Sequence, residues 1–162
     1  MKNRLSFALL AASALALAGC SSINTALNTS KQPSMEKLTP PSGQAFLTLE
    51  GSGIQIFRCA ADAKGTYWRF EQPQAKLKDK SGEAVAELSG PMSAFEYKDG
   101  SRFISSHIIA WADPANPQKD NKYALMKAVS DPGTGVFNGV KYIQRLKPEG
   151  GMPNSSGCTP SE

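Results

Sequence analysis

The sequence predicts an all-β domain, an antiparallel β-sandwich or small barrel with short loops and at most one short helix. Three observations carry that reading. Gly53-Ile54-Gln55-Ile56-Phe57-Arg58-Cys59 alternates apolar and polar side chains at the two-residue period of a half-buried strand. Further short β-like runs recur every ~8–12 residues, separated by Gly, Pro, Asn and Asp turns such as Asp99-Gly100 and Asn138-Gly139. No stretch sustains the 3.6-residue period of a long helix.

The first nineteen residues are set apart from the fold. Met1-Lys2-Asn3-Arg4 supplies positive charge, and Leu5 to Ala18 is an uncharged, mostly apolar run. That run is shorter than the ~20 residues a transmembrane helix needs and suits the core of a signal peptide. Leu17-Ala18-Gly19-Cys20 resembles the bacterial lipobox, in which small residues fit the peptidase cleft and the Cys20 thiol accepts diacylglycerol. Two or three acyl chains, a palmitate among them, anchor stably at about 0.8 kcal/mol per buried methylene. Ser21, rather than Asp, follows the cysteine. By resemblance to enterobacterial sorting rules this directs the protein to the outer membrane, lipid-anchored and facing the periplasm. Residues 20–42 read as a polar, proline-punctuated tether, residues 43–158 as the β domain and 159–162 as a tail. Of 18 basic and 14 acidic residues, Lys2 and Arg4 leave with the leader, so 16 stand against 14. A surplus of +2 without a dense Lys/Arg run excludes a nucleic-acid partner.

Within the domain, Ala45-Phe46-Leu47-Thr48-Leu49 reads as a first strand, followed by a break at Gly51 and Gly53. The run ending at Cys59 and Tyr67-Trp68-Arg69-Phe70 form a hairpin around Lys64-Gly65, and Pro73 ends the second arm. Ala75 to Lys78 is ambiguous, and Asp79 to Gly82 is a turn. Val85 to Leu88 and Phe95 to Tyr97 are short strands, the latter entering a hairpin at Asp99-Gly100. Arg102 to Trp111 is the longest β-like run, with a bend or bulge at Ser105-Ser106. Lys122 to Val129 fits a helical turn or a strand equally, and Val136 to Leu146 closes the domain, with an Asn138-Gly139 turn inside it and Val140 to Leu146 as the strand.

The order Gly-Ile-Gln-Ile-Phe-Arg-Cys (53–59), Trp68-x-Phe70 with Pro73, Gly90-Pro91, Asp99-Gly100-Ser101, and Tyr142-Ile143-Gln144-Arg145 through Gly150-Gly151 to Cys158 resembles the secreted family catalogued as domain of unknown function 3455. The resemblance covers about Pro40 to Cys158 and implies fold and export rather than a mechanism. Glu87 and Ser93 stand about where members of that family commonly carry a His and a Trp.

With Cys20 consumed by lipid, Cys59 and Cys158 remain in an oxidising compartment, where a disulfide is expected and two free thiols are the alternative. One histidine and two distant cysteines make no tetrahedral metal set, and no cofactor is expected. His107 stands between Ser106 and Ile108 on one strand, where neighbours point to opposite faces, so it reads as structural rather than as part of a nucleophile–base pair. Gly133 to Gly139 has the spacing of a dinucleotide loop but lacks the strand before it and the helix after it. Glu71, Glu87, Glu96, Asp99 and Asp113 are acid/base candidates that spacing does not rank. The function expected is a non-catalytic binding or structural module on an envelope lipoprotein, touching an envelope protein or glycan through Tyr67, Tyr97 and Trp111. The alternative is a carboxylate-dependent hydrolase or other envelope enzyme.

Overall fold

Polar turns between alternating runs leave each strand one ready partner, the next along the chain, and that is the pairing found. The computed structural model describes residues 35–160. They form seven strands: β1 (Glu50–Asp62), β2 (Gly65–Lys78), β3 (Ala84–Ser89), β4 (Ala94–Tyr97), β5 (Arg102–Trp111), β6 (Tyr123–Ala128) and β7 (Tyr142–Arg145). All pair antiparallel in one sheet of order β1-β2-β3-β4-β5-β6-β7, which is not closed into a barrel. The helical content among the described residues is a single 3₁₀ turn, Met35–Leu38.

The register sets the shape. Strand β3 meets β2 only from Gln74 onward, and β4 meets β5 only from Arg102 to Ile104. The outer halves of the β1–β2 and β5–β6 hairpins therefore project past the short β3–β4 centre as two arms. The bend expected at Ser105-Ser106 is the point where β5 changes partner, from β4 through Ile104 to β6 from Ser105, with a register shift soon after, between His107 and Ile109.

The main core lies on the inner face around Ala86, Phe103 and Phe137, with Leu47, Leu49, Leu77, Phe95, Tyr97 and Ile143 packed on it. Phe103 stacks on Phe95 at 5.0 Å between ring centroids, and Phe137 meets Phe103 and Tyr97 edge-on at 5.0 and 5.4 Å. Such pairs add about 0.5–1.5 kcal/mol each beyond the burial itself.

Several sequence expectations are corrected. Ala45 to Leu49 is not a strand; it runs unpaired, with Leu47 and Leu49 turned onto the core and Phe46 exposed. The glycines do not break β1: a Cβ on Gly53 would meet the Gln74 carbonyl and the Ala75 Cα, so glycine here permits close approach of β1 to β2. Pro73 does not end β2 but sits inside it opposite Gln55. Its missing N–H leaves no β3 ladder bond unmade, because that pairing starts at Gln74, and a bulge lies nearby at Ile56/Phe57. The ambiguous Ala75 to Lys78 completes β2; the turn expected at Asn138-Gly139 is present over residues 136–139, and the strand after it is shorter than expected, β7 covering Tyr142–Arg145.

The undecided Lys122 to Val129 is strand β6. Its periodicity is unreadable because Ala124, Leu125 and Met126 are buried in succession. Met126 pairs with the core residue Ile143, while Leu125 lies opposite Gln144, whose Nε2 donates to the Leu38 carbonyl at 2.7 Å. The 3₁₀ turn thus covers the second face of β6, and Leu38, placed in the tether by its sequence context, is fully buried.

Residues 147–158 strap the two arms together. Gly150 N–H donates to Asp120 Oδ1 at 2.6 Å, and Asn121 N–H to the Gly150 carbonyl at 2.7 Å, which fixes the strap to the β5–β6 loop. On the other arm Gln55 Nε2 donates to the Gly151 carbonyl, Trp68 Nε1 to the Gly157 carbonyl and Thr66 Oγ1 to the Cys158 carbonyl. The Cys59–Cys158 disulfide, with Cα atoms 5.6 Å apart, makes the attachment covalent.

Candidate binding surface

Strand alternation puts Lys76 of β2, Glu87 of β3, Glu96 of β4 and Arg102 of β5 in direct register on the outer face: Lys76 opposite Glu87, Glu87 opposite Glu96, Glu96 opposite Arg102. The row reads positive, negative, negative, positive. Like charges directly opposite are unfavourable and opposite charges favourable, each by about 0.2–1 kcal/mol. The flanking cations therefore offset a repulsion at the centre. Arg102 Nε stands 3.9 Å from Glu96 Oε2, a loose pair with both side chains well exposed.

Two open depressions flank this row. One, of about 290 Å³, is lined by Ser52, Ile54, Gln74, Lys76, Glu87 and Ser89 on β1 to β3. The other, of about 480 Å³, lies between the β3–β4 turn and the segment after β6, with Met92, Arg102, Ile104, Asp131 and Pro132 in its wall. Lys76 and Glu87 border the first and Arg102 the second, so the charged row connects them. Open ground of this kind, largely apolar in its lining and bordered by charged side chains, suits an extended ligand rather than enclosing a small one.

The three aromatics expected to contact ligand are not brought together. Tyr67 is exposed on β2, in the projecting arm. Tyr97 is half-buried and packs on the core against Phe137, because its place in β4 gives it the inner face. Trp111 stacks on Tyr123 with 6.3 Å between centroids, at the far end of β5. Cys20 lies outside the described residues.

Among the acid/base candidates, only Glu87 and Glu96 are neighbours. Glu71 is held between Arg58 and Arg69 at 2.9 and 3.0 Å, and Asp113 accepts from Ala115 N–H at 2.8 Å and Tyr123 Oη–H at 3.3 Å. Partial burial, then the charges of Arg145 and Lys122, lower the His107 pKa from its ordinary value. Among the described residues no group of three or more His, Cys, Asp or Glu is arranged to hold a metal ion.

Asp99 has a structural task. Its Oδ1 accepts from Ser101 N–H and Oγ–H at 2.9 and 2.6 Å, its Oδ2 accepts from Val136 N–H at 2.6 Å, and Ser101 Oγ accepts from Phe137 N–H at 3.1 Å. The β4–β5 turn therefore docks the Gly133 to Gly139 loop and lays Phe137 on the core. Gly135, at φ +118°, has no room for a Cβ, which would fall 2.5 Å from Asp99 Oδ2.

These hydrogen bonds, that of Ser101 first, lower the Asp99 pKa. A depressed folded pKa gives stability that is full above the unfolded value, about 3.9, and is lost as pH falls through the folded one. Melting temperature should thus drop below about pH 4, and Asp99→Asn should flatten that drop. Thermal unfolding followed between about pH 2.5 and 6 checks it.

The ordered motifs, the seven-strand meander and the strap with its disulfide meet one comparison directly. A family model described as a protein of unknown function (DUF3455) matches residues 40–162. The chain belongs to this family. No curated protein and no solved structure matches it. In this DUF3455 domain the family motifs have architectural reasons: the Cys59 strand holds the strap, Trp68 bonds it, and Asp99-Gly100-Ser101 docks the Phe137 loop. Ser93 lies in the β3–β4 turn with φ 51°, and its N–H donates to the Gly90 carbonyl at 2.9 Å. Lys76, Gln74, Ile54 and Arg102 were not singled out by sequence. Their period-two polarity was visible, but the register that aligns them was not.

Proposed function

We propose that this chain is an envelope lipoprotein whose DUF3455 domain is a non-catalytic binding module, engaging an extended polar partner, a glycan or protein of the envelope, across the outer face of β2 to β5. The observation that carries the reading is the open charged row joining two depressions. The lipobox-like Leu17-Ala18-Gly19-Cys20 after a charged start and an apolar run supports anchoring at the outer membrane, facing the periplasm. A disulfide-bonded domain suits that compartment.

Two measurements test it. Cys20→Ala should abolish incorporation of a clickable fatty acid and release the chain from the membrane fraction; persistent labelling would place the attachment elsewhere. Mild cross-linking and pull-down from envelopes should recover a partner or glycan fragment with the parent chain. Lys76→Gln/Arg102→Gln, which removes both exposed cations without adding like charges to the row, should reduce that recovery about tenfold or more, the scale of losing about 1.4 kcal/mol or more of binding energy, with the fold retained. Undiminished recovery by the double variant would contradict the outer-face assignment.

A further inference from the structure

Of the sheet's two outer edges, β7 contributes four residues and β1 thirteen. Strand β1 pairs with β2 along its whole length from Glu50 to Asp62, and among the described residues no strand lies on its other side. A free edge is a template for another strand, and folded proteins normally guard theirs with charged side chains, lysine above all, with proline or with a bulge. The charges of β1 are Glu50, Arg58 and Asp62, which leaves Gly51 to Phe57 without one. Strand β1 contains no lysine and no proline. The bulge near its middle puts the extra residue, Glu71, in β2. Residues 50–54 are all exposed, and Ile54, a β-branched residue in mid-strand, is 60% exposed.

The side chains of this edge are self-complementary. On the outer face Glu50, Ser52, Ile54, Ile56 and Arg58 follow one another at the strand period. Antiparallel pairing with an identical strand about a two-fold axis at Ile54 sets Glu50 opposite Arg58 twice, Ser52 opposite Ile56 twice, and Ile54 opposite itself. Centring the axis on Ile56 instead would oppose Glu50 to Asp62. The charge pattern thus favours the register centred on Ile54, which pairs Glu50 with Arg58 twice, over that centred on Ile56. The Arg58 side chain is 64% exposed although it pairs with Glu71, so it has room for a second carboxylate.

We propose that β1 is a self-association edge, pairing antiparallel with β1 of a second copy about Ile54, and so extending the sheet across two chains. A two-fold contact of this kind is isologous and closes at the dimer. The proposal does not depend on the partner of the outer face, because it is tested without one.

The test uses the full chain in detergent. Sedimentation equilibrium across a concentration series should show a reversible monomer–dimer equilibrium. Ile54→Lys, which removes the apolar pair on the axis and places two like charges there, should weaken it about tenfold or more. Register is read by cysteine cross-linking under oxidation: Ile54→Cys should give a covalent dimer, whereas Ser52→Cys, whose two copies lie four residues out of register, should not. A chain that stays monomeric throughout, including one whose edge instead takes up an added extended peptide, overturns the proposal. So does a dimer unaffected by Ile54→Lys, or equal cross-linking at both positions.

Discussion

Phe137→Ala should destabilise the domain by about 3–5 kcal/mol, the range for deleting a buried aromatic ring. Phe137 is 4% exposed and meets both Phe103 and Tyr97 edge-on, so its loss opens a cavity in the largest cluster of rings. The backbone around it is tied to Asp99 and Ser101, which limits collapse into that cavity. For a domain of this size a loss of that magnitude lowers the melting temperature by about ten degrees or more. Val136→Ala, at an exposed neighbour, should change it little. Denaturant unfolding of the three proteins measures this, and a Phe137→Ala loss below about 1 kcal/mol would mean that the docked loop contributes little to the core.

Cys158→Ser should cost about 2–5 kcal/mol, the usual range for a native disulfide in a small exported domain. The bond spans 99 residues, and the strap it secures is rich in Pro, Gly, Asn and Ser. Little apolar burial holds that strap: Leu146 and Met152 are exposed by 45% and 39%. Once the bond is gone, the Trp68, Thr66 and Gln55 hydrogen bonds remain, and each is worth about 0.5–1.5 kcal/mol net. Hydrogen exchange should therefore quicken at residues 147–158 while β2 to β5 stay protected. Two reactive thiols in the denatured, unreduced parent chain would contradict the bond itself.

The strands that were legible in sequence are those with one covered face. The run through Cys59 and the strand entering the Asp99-Gly100 hairpin followed period two, Arg102 to Trp111 stood out as a long β-like run, and each is a strand or hairpin. Strand β6 was not legible because Leu38, from a distant segment, buries its second face. Pro73 misled because the absence of a β3 partner beside it is a fact of register, not of local sequence. Phe137 hid inside a glycine-rich loop whose docking depends on Asp99 and Ser101, more than 30 residues away. The candidate surface was the least legible part. Lys76, Glu87, Glu96 and Arg102 lie on four strands, and only the ladder brings them into one row.

Site-specific photo-cross-linking in living cells tests the outer face most directly. A photoreactive residue at Ser89, exposed beside the first depression, should give discrete adducts with an envelope component. The same residue at Lys147, exposed at the start of the strap, should give none. Adducts from position 147 with none from position 89 would contradict the assignment of the β2–β5 outer face as the binding surface.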